Sequence, residues 1–274
     1  MVPHLNADNG QAEAHGHHGE ESQWTRVVRK GKKLARHGQS ASHCSSLPLP
    51  NPTPQLTPEE IHADHARLCA RWRASDSYAH LLDFLRDAGP RRGRVTRAIC
   101  LGLGSFDPEN GSWDAKRRAH TQLDAFLAMV KLLSGPGADR VPCFFQEPCF
   151  TGADKAFLES MGHVVVESPR AYAMTSPTTL VFGIHLYKEV WAEALAKCLP
   201  AIFVGTSWNV WDECGISSPT GCANDRIREM DSTFDKFRFP QYDVDTFSST
   251  CIYWRKQSSG SESMATGAHR PLAE

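Results

Sequence analysis

The chain has 274 residues, of which 41% are hydrophobic and 22% are charged, and its formal net charge is −1. This composition can bury one sizeable globular core, and the near-zero charge argues against a protein-wide electrostatic attraction to nucleic acid. Nine scattered cysteines, no secretory signal and no run of roughly 18 apolar residues together predict a protein of the cytoplasm, the nucleus or both, without a membrane partner.

The two ends of the chain are predicted to be disordered. Residues 1–57 are dominated by Gly, Ser, Pro, His and Asn and lack an amphipathic period. Within them, residues 24–33 (WTRVVRKGKK) form a basic cluster that could contact nucleic-acid phosphates weakly, could direct nuclear import, or could be a solvated tail. His15, His17 and His18 are interpreted as incidental rather than metal-binding. Residues 258–274 are polar and are predicted to be a second disordered tail.

One α/β domain is predicted over residues 58–257, and it begins with a pair of helices over 58–90. Thr57 is the predicted N-cap, Pro58 suits the first helical position, and two acids follow in the first turn. The second helix of the pair runs from about 77 to 88, where Gly89 and Pro90 end it.

The core sheet is predicted over 95–205, where apolar runs alternate with helical stretches. The predicted helices cover 115–133, 152–161 and 186–197, and the predicted strands cover 95–101, 141–146, 163–167, 178–183 and 201–205. This alternation predicts a Rossmann-like, doubly wound parallel sheet with right-handed crossovers and strand order 3-2-1-4-5. Residues 250–254 are predicted to add a strand at its edge.

Small and polar residues follow the predicted strands at one edge of this sheet. In doubly wound sheets, ligands bind beyond the carboxyl ends of the strands, where the strand order reverses between strands one and four. We therefore predict that one cleft brings together residues after strand one, strand two, strand four and strand five, namely Gly102, Gly104, Ser105, Glu147, His185 and Ser207.

Each of these residues has a functional and a structural interpretation. Gly102 and Gly104 would let backbone N–H groups approach a phosphate, carboxylate or nucleoside, or they could simply allow a tight turn. Glu147 could bind ribose hydroxyls or could be a solvated turn residue. His185 could be a catalytic acid or base, or a buried histidine bonded to carbonyl groups. Because Asp107 stands where a third glycine belongs, the dinucleotide fingerprint is incomplete.

Other catalytic and metal-binding patterns are absent from the sequence. It contains no Walker A loop, no nucleophile elbow and no His-Glu-x-x-His motif. Cys143 and Cys149 do not have the spacing of zinc ligands, so they are interpreted as core thiols. We predict no metal site, and the cofactor stays unknown.

Several segments resemble one family, the Sensitivity to Red Light Reduced (SRR-like) domain family, over about 24–37 and 95–254. They are QWTRVVRKGKK, AICLGLGSF, RRAHTQLDAFL, FFQEPCFTGADKAFLESMGHVV, SPTTLVFGIHLYKEVW, AIFVGTSW and DTFSSTCIYW. The family's Tyr-Asp-Pro, Met-Pro-His-Cys and Gly-Asn-Ser-Phe motifs correspond here to QEP at 146–148, FGIHL at 182–186 and GTSW at 205–208. The resemblance implies a role in circadian input and light signalling, as in plants, or in regulating haem synthesis, as in other eukaryotes.

Two functional hypotheses follow. The first is a regulatory protein on a Rossmann-like scaffold that senses a small, nucleotide-like ligand or binds protein partners. The alternative is an enzyme with a nucleotide-type cofactor, most plausibly an S-adenosyl-methionine-dependent methyltransferase. The Gly-x-Gly turn, the acid after strand two and His185 favour the enzyme. The incomplete glycine pattern and the absence of an evident nucleophile or acid–base pair favour the regulator.

Overall fold

The computed structural model describes residues 56–88, 95–134, 140–213 and 221–256, without the side chains of 211–213 and 221–225. The helices are α1 (Pro58–Arg73), α2 (Asp76–Ala88), α3 (Trp113–Leu133), α4 (Gly152–Ser160), α5 (Lys188–Leu195), α6 (Trp208–Glu213) and α7 (Gly221–Thr233). The strands are β1 (Arg97–Leu101), β2 (Cys143–Gln146), β3 (Val164–Val165), β4 (Thr179–Phe182), β5 (Ile202–Thr206), β6 (Asp235–Arg238) and β7 (Thr250–Trp254). The tails predicted at 1–57 and 258–274 lie outside the described residues, apart from Leu56 and Thr57.

The strands form a sheet in the order β3-β2-β1-β4-β5-β7-β6, and the predicted order 3-2-1-4-5 is confirmed within it. All neighbours among β1 to β5 are parallel. Alternate residues of β1 face opposite sides, since Ala98 and Cys100 belong to one apolar core and Ile99 and Leu101 to the other. A parallel sheet covered on both faces needs such continuously apolar strands, which explains why its strands were readable from the sequence.

The prediction that residues 250–254 form a strand at the edge of the sheet is wrong in one respect. These residues form β7, but β7 lies between β5 and β6 and is antiparallel to both. Every residue of β7 is buried, so it requires a neighbour on each side. The outer neighbour, β6, was not predicted because its four residues, DKFR, are half-buried or exposed and show no apolar run.

The predicted helical pair is confirmed as α1 and α2, and both helices pack against α3. Thr57 caps α1 in a capping box, because its hydroxyl accepts from the Glu60 N–H while the Glu60 carboxylate accepts from the Thr57 N–H. Trp72 near the end of α1 is fully buried among the rings of Tyr78, Tyr242 and Phe247. The pair therefore covers the same side of the sheet as α3.

Two glycines allow α5 to lie close to the sheet. Gly183 follows β4, Gly205 lies within β5, and the buried indole of Trp191 packs against both. A Cβ on Gly205 would lie 2.5 Å from Trp191 Cζ2 and 2.9 Å from Phe203 Cε1, closer than side-chain carbons pack. The position of Gly205 therefore makes it a packing residue.

We predict that Gly205→Ala lowers the free energy of unfolding by about 1–3 kcal/mol, because the added methyl overpacks the space beneath Trp191. The matched control is Gly152→Ala at the start of α4, where an added Cβ has no atom within 4 Å. Chemical denaturation of both variants checks this. Equal midpoints for the two variants would contradict the packing role.

Candidate functional site

A cleft of about 720 Å³ lies at the carboxyl ends of the parallel strands, where β1 and β4 adjoin. This is the switch point predicted for a ligand, and the volume lies in the range of small-molecule sites. It is lined by the loops after β1, β2 and β4, by the segment between β3 and β4, and by one face of α3. Of the six predicted site residues, five line it, namely Gly102, Gly104, Ser105, Glu147 and His185.

Ser207, the sixth predicted residue, is not among the residues that line the cleft. It follows β5 and is 9% exposed, and its backbone N–H donates to the Ser249 carbonyl at 2.9 Å. The next residue, Trp208, donates its N–H to the hydroxyl of Tyr253 on β7. The end of β5 is therefore tied to β7, the strand whose position the sequence did not predict.

Glu147 connects two loops of the cleft. Its Oε2 accepts from the Gly104 N–H at 2.9 Å, and its Oε1 accepts from the Cys149 N–H at 2.8 Å. Both bonds are charge-assisted, so the carboxylate fixes the glycine turn after β1 against the turn after β2. The Gly104 N–H, which the sequence suggested as a ligand donor, is thereby engaged within the protein.

Asp154 holds the same glycine turn from the other side, and sequence analysis missed it. Its Oδ2 accepts from the Ser105 hydroxyl at 2.7 Å and from the Thr151 N–H at 2.9 Å, while Oδ1 accepts from the Phe106 N–H at 3.1 Å. The carboxylate is fully buried, and burial raises its pKa. The capping box Thr151–Asp154 was visible as a sequence pattern, but its bond to a residue 49 positions away was not.

The loop after β1 keeps two backbone donors without an acceptor. Among the described residues, nothing accepts from the N–H groups of Leu103 and Ser105, and both residues line the cleft. Gly104 between them has φ +76°, and a Cβ placed there would have no atom within 4 Å. The space in front of this part of the backbone is therefore open.

His185 lies at the rim of the cleft and is exposed, so the buried alternative considered for it does not hold. Its φ is +57°, a left-handed conformation that histidine adopts more readily than most residues. Its Nε2 is 3.1 Å from both the carbonyl oxygen and the hydroxyl of Ser248. The carbonyl can only accept, whereas the hydroxyl can donate or accept, so the tautomer of His185 decides which of the two contacts is the hydrogen bond.

The face of α3 toward the cleft consists of Ala115, Arg118 and Gln122, none of which sequence analysis selected. Gln122 is buried, and its side-chain amide donates to the Thr246 carbonyl at 3.0 Å. Arg118 forms no hydrogen bond or ion pair within the described ranges, whereas its neighbour Arg117 pairs with Asp243. The i, i+3, i+7 spacing marks a helix face, but the sequence does not show that this face borders a cleft.

The sequence around this cleft matches a known protein family. The chain matches the SRR1 domain over residues 81–254. It belongs to the SRR1 domain family. No curated protein matches it significantly. One solved structure, Thermoplasma acidophilum 1320, aligns at 11% identity over 72% of this chain and 98% of its own length, with a TM-score of 0.35. A likeness of that size carries no functional inference.

The whole cleft lies within the SRR1 domain, because every residue that lines it falls between 81 and 254. Helix α1 precedes the matched region. None of the helices among the described residues combines the length and hydrophobicity needed to span a bilayer.

We predict that Asp154→Asn destabilises the SRR1 domain by about 1.5–3 kcal/mol, the usual worth of a hydrogen bond to a charged group. An asparagine offers one acceptor oxygen, so its NH₂ group would face one of the three donors that Asp154 accepts. The control is Glu159→Gln, an exposed position on the same helix. Denaturation midpoints and hydrogen exchange at the Phe106 amide check it, and unchanged exchange would contradict it.

Proposed function

We propose that this protein is a regulatory, ligand-sensing member of the SRR1 domain family, and that its cleft binds a small anionic molecule. The observation that carries the proposal is Arg118, a cation that lines the cleft without a partner among the described residues. A guanidinium in a cleft offers a planar set of donors that suits a phosphate or carboxylate.

The glycine turn supports the same chemistry. The unpaired N–H groups of Leu103 and Ser105 can donate to an anion, and the open space at Gly104 lets it come close. The two acidic residues that line the cleft do not prevent an anion from binding to these donors. Glu147 has a backbone N–H on each oxygen, and Glu109 is exposed on the loop, where it can accept from a hydroxyl or amino group of a ligand.

The remaining lining indicates that the ligand also has an apolar or planar part. Leu186, Tyr187 and Val190, from the loop after β4 and from α5, line the cleft together with Tyr172 from the segment between β3 and β4, and Tyr187 is 80% exposed. Tyrosine rings pack well against planar groups. A nucleotide-like ligand, with an anionic group and a flat ring, has both features.

The chemistry of the cleft gives less support to a nucleophilic enzyme. Cys149 is the thiol that lines it, and burial, with the nearby Glu147 carboxylate as a smaller cause, raises the pKa of this thiol to about 11. The thiol therefore stays protonated at neutral pH and is a poor nucleophile. His185 is the acid–base candidate in the cleft that the sequence predicted.

The methyltransferase alternative depends on Glu147, which lies after β2 as a ribose-binding acid does in nucleotide sites. Its two oxygens already accept from Gly104 and Cys149, which explains the residue without a ligand. If S-adenosyl-methionine is nevertheless bound and turned over, His185→Ala should lower the rate by about 10²–10⁴-fold with little change in affinity. Under the regulatory proposal, no turnover occurs in either protein.

The test measures the melting temperature of the full chain with nucleotides, S-adenosyl-methionine, NAD(P) and haem, followed by titration calorimetry of any compound that stabilises it. We expect at least one anionic compound to raise the melting temperature, and Arg118→Gln to weaken its binding by about 10–150-fold, equivalent to 1.5–3 kcal/mol.

The matched control is Lys131→Gln, which removes one positive charge from an exposed position near the end of the same helix. It should leave the affinity unchanged. Equal losses in both variants would indicate a non-specific charge effect, and no stabilisation by any anion in the set would contradict the proposal.

The setting of this regulation stays a prediction. The family resemblance implies light signalling and circadian input, or control of haem synthesis, with protein partners in the cytoplasm or nucleus. Nothing in the cleft selects among these pathways. An interaction screen with the wild-type chain and Arg118→Gln, with and without the stabilising compound, would show whether the ligand controls a partner.

A further inference from the structure

A second group of polar residues lies between α1 and α3, away from the cleft lining. On α1, His65 and Cys69 are four residues apart, and on α3, His120 and Asp124 are four residues apart, so each pair faces the opposite helix. All four residues are buried, and each whole residue is 7% exposed or less. Buried polar groups in a helix interface are expected either to be paired or to bind a metal ion.

The distances within this group correspond to those of a metal site. His65 Nε2 lies 4.0 Å from Cys69 Sγ and 4.0 Å from Asp124 Oδ1. Ligand atoms of His65, Cys69 and Asp124 all lie within 4.8 Å of one another. In a tetrahedral zinc site the bond lengths place a nitrogen about 3.4 Å from an oxygen and about 3.6 Å from a sulfur, so binding needs only a small contraction of this group.

His120 lies beside this group as an outer partner. Its Nδ1 is 3.3 Å from His65 Nδ1, a hydrogen bond with one proton between the two nitrogens. With that proton on His65, the lone pair of His65 Nε2 is free for an ion beside Cys69 and Asp124. Ligating histidines are commonly oriented in this way through their other ring nitrogen.

We propose that His65, Cys69 and Asp124 bind a Zn²⁺ ion that fixes α1 to α3. The ligands are His65 Nε2, the Cys69 thiolate and one oxygen of Asp124, and the thiol proton leaves to solvent when the ion binds. Nitrogen, sulfur and oxygen ligands of these three types are the ones that zinc takes in proteins, and a water completes the tetrahedron.

Arg73 fits the site as an outer partner. Its Nε lies 3.0 Å from each oxygen of Asp124, so the guanidinium can stay bonded to one oxygen while the other binds the ion. Such contacts orient a ligating carboxylate. Because His65 and Cys69 precede the region matched to the SRR1 domain, family membership does not imply this site.

The experiment uses the metal-free full chain with His15→Gln, His17→Gln and His18→Gln, so that the tail imidazoles do not bind the probe. Co²⁺ is added under reducing, oxygen-free conditions, and visible absorption is recorded. We expect saturation at one equivalent, with the intense bands of tetrahedral cobalt and a thiolate-to-cobalt charge-transfer band. Zn²⁺ should displace the cobalt and raise the melting temperature.

Cys69→Ser should abolish the charge-transfer band and weaken cobalt binding by more than about 100-fold, since losing even an outer-shell partner costs about 10–100-fold. The matched control, Cys143→Ser, removes another buried thiol and should change neither. If Cys69→Ser does not fold, His65→Gln takes its place and should lose the tetrahedral spectrum. No binding at one equivalent, or a charge-transfer band that survives Cys69→Ser, overturns the proposal.

Discussion

The cleft depends on two carboxylates that bind backbone N–H groups of the turn after β1. Asp154 holds Phe106 and the Ser105 hydroxyl, and Glu147 holds Gly104, so the glycine turn is fixed from both sides. Because Asp154 also caps α4, the helix that follows β2 and the loop that follows β1 share one buried charge. Removing that charge would leave several buried donors unsatisfied, which costs more than the bonds themselves contribute.

Strand order was predictable from the sequence because it follows from burial. Each of β1, β4 and β5 is an apolar run that needs cover on both faces, and right-handed crossovers leave few arrangements of such strands. The antiparallel end of the sheet was not predictable in this way. The strand β6 has no apolar period, so the position of β7 between β5 and β6 could be known only from tertiary pairing.

For the candidate site, the sequence could predict only which strand ends come together at one edge of the sheet. Gly102, Gly104, Ser105, Glu147 and His185 were found because each follows a strand at the same edge. Their partners were not predictable, since the direction of a side chain in a loop depends on its tertiary neighbours. Ser105 and Glu147 therefore turn out to position the loop.

Arg118 and Asp154 were missed for a related reason. Each belongs to a helix whose amphipathic pattern predicts which face is buried but not what that face meets. The buried His and Cys of α1 were passed over similarly, because i, i+4 spacing acquires chemical meaning only when a second helix supplies matching residues.

Helix α3 links the two sites that we propose. Arg118 and Gln122 face the cleft, while His120 and Asp124 face α1, and the two sets alternate along about two turns of one helix. The His120 ring lies 4.9 Å from the ring of Phe106, whose N–H Asp154 holds. An ion between α1 and α3 would therefore fix the axial rotation of the helix that presents Arg118, and one aromatic layer would separate it from the glycine turn. On this argument, loss of the ion would weaken anion binding without touching a cleft residue, through rotation of α3 rather than through charge.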